Sequence, residues 1–398
     1  MITELAERLS AAETGTMRAA VVTGPGVVRI EDVALPKPGS GQVGVRLEGS
    51  GVCASNLTPW EGPSWMTFPT EPGALGHEGW GWIDAVGEAV TELRVGDRVA
   101  MLSGHAYAEY DIADADSVVK LPPEIDGMPF PAEPFGCAMN IFRRSGIEAG
   151  QTVAVLGVGF LGAILVRLAS DAGARVIAIS RREESLELAR KMGAAETIPM
   201  NDHCQIIDRV KELTGGRFCE RVIEAVGKQW PLDLAAELTG EGGRLVIAGY
   251  HQDGPRQVNM QLWNWRGFDV INAHERDPAV SVRGMREAVD AVRSGLIDPS
   301  LLLTHCYRLD QLDEALNATR DRRSGTDRDP RSEPGHGGGS VEASAPSEAG
   351  PVPYRNAPSG TGRIGDRNAK RPSCRTVHRG AWPRRRGLLP EAARPECG

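Results

Sequence analysis

Three glycines in one short turn, two arginines beyond it, and a cysteine and a histidine upstream are the residues whose types and spacing can do chemistry. Gly157, Gly159 and Gly162 stand in GxGxxG spacing after an apolar run, Val153–Leu156. A segment of helical period comes next, Gly173 closes it, and a second apolar run, Val176–Ile179, begins. A lone GxGxxG is a weak signal. Set between strand, helix and strand, it predicts a dinucleotide-binding turn rather than a plain glycine-rich αβ turn. Gly157 permits the tight turn, Gly159 lets backbone approach a pyrophosphate, and Gly162 lets helix pack close to strand. The expected cofactor-binding residues are therefore Gly157, Val158, Gly159, Phe160, Leu161 and Gly162, together with the residues at the end of the second run.

Ser180, Arg181 and Arg182 stand at that end. A carboxylate at this point would bond a ribose 2′-hydroxyl and repel a 2′-phosphate, whereas guanidinium pairs with that phosphate bidentately. The expectation is NADP, with NAD as the alternative. The competing reading of the two arginines is a solvated helix start, since Glu183 and Glu184 belong to the next helix. Upstream, Cys53 lies in Gly51-Val-Cys-Ala-Ser-Asn56 and His77 in Gly76-His-Glu-Gly79. Thiolate and imidazole are natural zinc ligands, although a lone cysteine is most often a small buried apolar group.

The elements that must position these residues differ on the two sides of the glycine turn. Before it, strand-like runs at Ala19–Val22, Val27–Val33 and Gln42–Glu48 with Gly and Pro punctuation predict a β-rich region. After it, strands at Thr197–Ile198, Arg221–Ala225, Arg244–Ala248 and Asp269–Asn272 alternate with helical segments such as Glu184–Met192 and Met285–Ser294, the pattern of an α/β sheet. The carboxyl ends of these strands are expected to line the cofactor crevice. Thr304–Leu309 reads as a further strand, and Leu312–Thr319 as a closing helix.

Composition narrows the function classes. Apolar residues make up 41% of the chain and charged residues 25%, ordinary for a globular protein with a sizeable core. The net charge of −8 argues against nucleic acid as a main partner. No run approaches a membrane span and no secretory signal opens the chain. Seven scattered cysteines suit a reducing compartment, so a cytoplasmic location is expected.

Taken together, Gly51-Val-Cys-Ala-Ser, then Gly76-His-Glu, then the Val86-Gly87 and Gly96-Asp-Arg-Val99 pair, then GxGxxG, resemble the zinc-dependent medium-chain dehydrogenases/reductases, the alcohol and polyol dehydrogenase family. The resemblance covers residues 17–320 in collinear order. It implies a GroES-like β-rich catalytic domain and a Rossmann domain with a doubly wound parallel sheet, the active site lying in the cleft between them. It implies one catalytic zinc held by Cys53, His77 and a third residue. The family's spacing places that third ligand at Glu133, in a Glu133-Pro134 pair resembling the polyol branch, with Cys137 one helical turn later as competitor. By the same resemblance Ser55 bonds the substrate oxygen and relays its proton, while Glu78 binds or exchanges at the metal, or else orients the ligands around it. The zinc would act as a Lewis acid toward the substrate oxygen.

Departures matter as well. Asn56 stands where relatives carry Asp, and Thr58 where many carry a relay histidine. No cysteine cluster follows Val99, so a second, structural zinc is not expected. Trp60, Trp65, Trp80 and Trp82 are candidate pocket walls, a core role being equally open for Trp80 and Trp82, and His105 is a candidate for the cleft.

The expected organisation is an N-terminal extension (1–16), a catalytic domain (17–150), a Rossmann domain (151–290), a return to the catalytic domain (291–323) and a tail (324–398). The tail is rich in Gly, Pro, Ser, Ala and Arg and is expected to be disordered. It resembles a GC-rich gene read out of frame after a frameshift near codon 322. The function implied is hydride transfer between NADP(H) and a secondary alcohol or ketone, a polyol, cyclitol or sugar, by a homodimer or homotetramer. Competing readings are a zinc-free quinone or enone reductase on the same fold and an inactive cofactor-binding pseudoenzyme.

Overall fold

The computed structural model describes residues 15–324. The expected extension and tail lie outside these apart from their innermost residues, and so does the frameshift reading. β1 (Thr16–Gly24) and β2 (Val27–Ala34) form an antiparallel hairpin. β3 (Gln42–Ser50), β4 (Gly79–Val86), β5 (Arg98–Met101), β6 (Tyr110–Asp114) and β7 (Val118–Lys120) form an antiparallel sheet in the order β6-β3-β4-β5-β7. Val43 and Val45 of β3 bury one face of it with Ile83 and Val99.

β8 (Thr152–Leu156), β9 (Arg175–Ser180), β10 (Glu196–Pro199), β11 (Cys219–Glu224), β12 (Thr239–Ile247) and β13 (Asp269–Asn272) form a parallel sheet in the order β10-β9-β8-β11-β12-β13. Val153 and Val155 of β8 pack into one core cluster, which includes residues of the helices Ala132–Ser145, Phe160–Asp171 and Pro278–Arg293. Ala154 and Leu156 pack into another, with the helices His203–Leu213 and Gln229–Leu238. A strand buried on both faces has no solvent side to alternate with, which is why β8 reads as one apolar run. Parallel strands between two helical layers are the doubly wound Rossmann arrangement, and with the antiparallel sheets they give the expected α/β class. The strand order reverses between β8 and β11, and the crevice at their carboxyl ends is where such sheets bind ligands.

Thr304–Leu309 is not a strand. Exposed and part-buried residues alternate along the segment, but no strand forms there among the described residues and Leu309 opens the short 3-10 turn Leu309–Gln311; the sequence carried the alternation without a partner edge. The helix Leu312–Ser324 then packs back on the first hairpin. Its Leu312 and Leu316 join Ala20, Val22 and Trp60 in one cluster, and its Asp313 accepts from the Val28 amide at 3.2 Å. No helix among the described residues is long and apolar enough to cross a membrane.

Candidate active site

Cys53 immediately precedes the short 3-10 turn Ala54–Asn56, and His77 and Glu78 immediately precede β4. The two segments place Cys53, His77 and Glu78 so that one ligand-capable atom from each lies within 4.8 Å of the others. Glu78 is buried, and it fits because residue 51 is glycine: a Cβ there would lie 1.8 Å from Glu78 Oε2. Burial, then repulsion from Cys53 and Glu133, pushes the Glu78 carboxyl well above the usual carboxylate range, with His77 acting in the opposite sense. Buried acidic donors that repel one another are stabilised by a cation. A thiolate, an imidazole and a carboxylate make a donor set that fits zinc.

The histidine is oriented for that role. His77 Nδ1 lies 2.9 Å from the Leu75 carbonyl. A carbonyl only accepts, so Nδ1 carries the hydrogen and Nε2 keeps its lone pair for a metal. Leu75 holds its carbonyl there from the left-handed region, at φ 74°, a conformation that costs a non-glycine residue about 1–3 kcal/mol. Asn56 stitches the segments together. Its Nδ2 donates to the same carbonyl at 2.8 Å, and its Oδ1 accepts from the Cys53 amide at 3.2 Å and the Tyr107 hydroxyl at 2.8 Å. Burial, then the neighbouring Glu78 and Cys53, pushes the Tyr107 hydroxyl up, so it stays protonated and donating.

Glu133 and Cys137, the competitors for the third ligand, share one face of the helix Ala132–Ser145. The Cys137 thiol donates to Glu133 Oε1 at 3.1 Å. Burial, then the Glu133 charge and that hydrogen bond, pushes the thiol well up, with Glu78 and Cys53 adding to the effect. The cluster therefore reaches Cys137 electrostatically, while Glu133 stands outside the compact group of three.

At the other half of the site, Gly157 takes φ 90°, which only glycine adopts readily. A Cβ on Gly162 would lie 1.9 Å from the Gly157 carbonyl oxygen, so the helix Phe160–Asp171 packs hard against the turn. Gly159 has nothing within 4 Å of where its Cβ would stand, which leaves open space above the backbone. Val158 is buried beneath, and Phe160 and Leu161 pack against the core. Ser180 ends β9 and is buried, Arg181 is exposed, and Arg182 donates to the Ser185 hydroxyl at 3.2 Å at the start of the helix Glu183–Lys191.

Ser55, Trp65, Leu75, His77, Tyr250 and Gln252 line a cleft of about 540 Å³. Of the four tryptophans singled out, Trp65 alone lines it. Trp60 is core, Trp80 packs over Gly49, and Trp82 donates to Glu48 at 2.6 Å. His105 is half-exposed, 3.9 Å from Glu71, and its neighbour Gly104 lines the cleft instead. Tyr107, Leu75, Tyr250 and Gln252 were missed by sequence reasoning. The first acts through contacts distant in sequence, the second through its backbone, and the last two sit in a loop with no motif.

The family model described as alcohol dehydrogenase GroES-like domain matches residues 39–123, and the one described as zinc-binding dehydrogenase matches residues 161–292. An alcohol dehydrogenase of Geobacillus stearothermophilus is 34% identical over 256 residues, covering 56% of this chain and 74% of that protein. A sorbitol dehydrogenase of Gallus gallus is 27% identical over 350 residues, covering 78% and 95%. A crystal structure from Sinorhizobium meliloti 1021, of a protein assigned as a zinc-binding dehydrogenase and bound to NADP, is 26% identical with a TM-score of 0.64, covering 76% and 95%. These matches agree with the paired sheets, the glycine turn and the Cys53–His77–Glu78 cluster, and the chain belongs to the zinc-type medium-chain dehydrogenase/reductase family of oxidoreductases.

Proposed function

We propose that the enzyme transfers a hydride between NADP(H) and a secondary alcohol or its ketone, with a polyol, cyclitol or sugar as substrate, using one zinc ion held by Cys53, His77 and Glu133. The observation that carries this reading is the convergence of Cys53, His77 and Glu78 beside a cleft that Ser55 and His77 also line. When bound, zinc supplies Lewis acidity toward the substrate oxygen and the nicotinamide supplies or accepts the hydride. The chain's own residues do the rest. Ser55 bonds the substrate oxygen and moves its proton, and Thr58, where many relatives carry a relay histidine, leaves the onward path to water or another group. Glu78, buried against the ligands, orients them. The Gly157–Gly162 turn and the amino end of its helix receive the pyrophosphate. Arg181 and Arg182 take the 2′-phosphate in this reading, with Ser180 ending the strand beneath them. The sorbitol dehydrogenase relatives and the Glu133-Pro134 pair support a polyol-type substrate. The exposed edge of β13 supports assembly as a homodimer, or a homotetramer built from it.

The decisive experiment measures metal content and turnover on one sample, across an alcohol and ketone panel with both nicotinamides. The reading expects about one zinc per chain, lost in Cys53→Ala together with turnover. A metal-free wild type that reduces quinones or enones would overturn the zinc assignment. Arg181→Ala is expected to weaken NADP about tenfold or more, the scale of a lost charge-assisted hydrogen bond, with little effect on NAD. An equal loss for both cofactors would refute the phosphate role.

A further inference from the structure

The loop after β12 carries three consecutive residues with divided duties. His251 turns inward: its Nε2 lies 2.9 Å from Oε2 of Glu224, a fully buried carboxylate at the end of β11. The other oxygen of Glu224 accepts from the Val226 and Gly227 amides, both at 2.8 Å, in the turn that borders the cofactor crevice. Arg256 donates to His251 Nδ1 at 2.8 Å and closes the loop from the other side. The backbone is packed as closely: a Cβ on Gly249 would lie 2.2 Å from the Gly227 nitrogen. The loop is therefore a fixed wall rather than a loose flap.

Its flanking residues, Tyr250 and Gln252, both line the cleft shared with Ser55 and His77. Tyr250 also lines a second cavity of about 370 Å³ at the carboxyl ends of β12 and β13, where its ring meets His274 edge-on at 5.3 Å. It stands between the metal-side cleft and the sheet end where such folds place their ligands. Among the described residues, the Tyr250 hydroxyl and the Gln252 carboxamide have no hydrogen-bond partner. Tyr250, about half exposed, and Gln252 place two uncommitted polar groups on a rigid wall of a cleft that Ser55, Asn56 and His77 also line, beside the apolar Trp65, Leu75 and Pro59, and such groups select for a polar atom on the ligand.

We propose that Tyr250 and Gln252 are specificity-determining residues that read a second hydroxyl, on the carbon next to the one that reacts, so that vicinal diols and α-hydroxyketones are preferred over simple secondary alcohols and ketones. The inference rests on the alcohol dehydrogenase reading above and assigns the residues that choose within it.

The test compares 2,3-butanediol with 2-butanol, which differ by that hydroxyl, on wild type, Tyr250→Phe and Gln252→Ala. Two readouts are needed. One is kcat/KM for each alcohol. The other is the calorimetric Kd of each alcohol on the holoenzyme loaded with reduced nicotinamide, a complex that cannot turn over. Wild type is expected to favour the diol in both. Tyr250→Phe is expected to reduce the diol-to-monoalcohol ratio about tenfold, mainly through KM and Kd, the scale of one lost hydrogen bond. Gln252→Ala is expected to reduce it in the same sense. An unchanged ratio in both variants overturns the proposal, as does a wild type that binds the two alcohols equally. Absence of turnover with the binding preference intact would instead overturn the dehydrogenase reading and leave the wall assignment standing.

Discussion

Asn56 uses both ends of one small side chain to hold the Cys53 segment, the Leu75 carbonyl and Tyr107 in one arrangement. Replacing it by alanine strips the Cys53 amide of its partner and leaves the Leu75 carbonyl with His77 alone and the Tyr107 hydroxyl with the Gly51 carbonyl alone. A group so stripped costs about 1–3 kcal/mol at most, and the loss is shared with any water that enters. Asn56→Ala is therefore expected to lower stability by about 2 kcal/mol and to weaken zinc about 10–100-fold, as removal of a partner behind metal ligands does. Competition with a chromophoric chelator measures the second effect, and denaturant unfolding the first. Unchanged metal affinity in a destabilised protein would reduce Asn56 to a purely structural role. Reading the sequence identified the change from Asp at this position but not its use. The amide nitrogen donates to a carbonyl that Leu75 presents only because of its left-handed backbone, and nothing in a leucine announces that conformation. Cys53 and His77 were legible because their chemistry is carried in the residue type. Tyr250 was not, because its value lies in where a loop 195 positions beyond Ser55 returns to the cleft.

The glycine turn is where sequence and structure agree most closely, because Gly157 and Gly162 each answer a local steric demand that spacing alone expresses. The strands around it were legible for a related reason: burial on both faces leaves continuous apolar runs in β8 and β9. The failure at Thr304–Leu309 is the converse case, since strand pairing depends on a neighbour that the run itself does not encode. The turn also separates folding from binding. In Gly162→Ala the new methyl meets the Gly157 carbonyl oxygen at 1.9 Å, and the helix Phe160–Asp171 must shift off its strand. Overpacking of this kind costs about 1–3 kcal/mol, so both the unfolding midpoint and dinucleotide affinity are expected to fall. In Gly159→Ala the methyl meets nothing within 4 Å. The midpoint is expected to stay within about a degree of wild type. Dinucleotide affinity is expected to fall about tenfold or more, because the methyl occupies the approach to the pyrophosphate. A Gly159→Ala protein that binds cofactor like wild type would show that the pyrophosphate does not cross this backbone.

Across the whole molecule, the parallel sheet ends at β13, which pairs with β12 on one side only. Val270 is 36% exposed, and the preceding helix Met260–Arg266 exposes Met260 at 55% and Trp265 at 79%. An open strand edge beside exposed large apolar groups is where chains associate. A two-fold axis past β13 would pair the strand with its own copy and cover both patches at once, a self-complementary contact that closes at two subunits. Wild type is thus expected to sediment as a dimer at micromolar concentration. Charges on the edge should oppose that pairing from both subunits simultaneously, so Val270→Lys with Trp265→Glu is expected to give monomer over the same range. Because neither side chain reaches the cleft lined by Ser55 and Tyr250, the monomer should still bind zinc stoichiometrically. A wild type that sediments as monomer at tens of micromolar would remove β13 as an interface, and so would a double variant that remains dimeric.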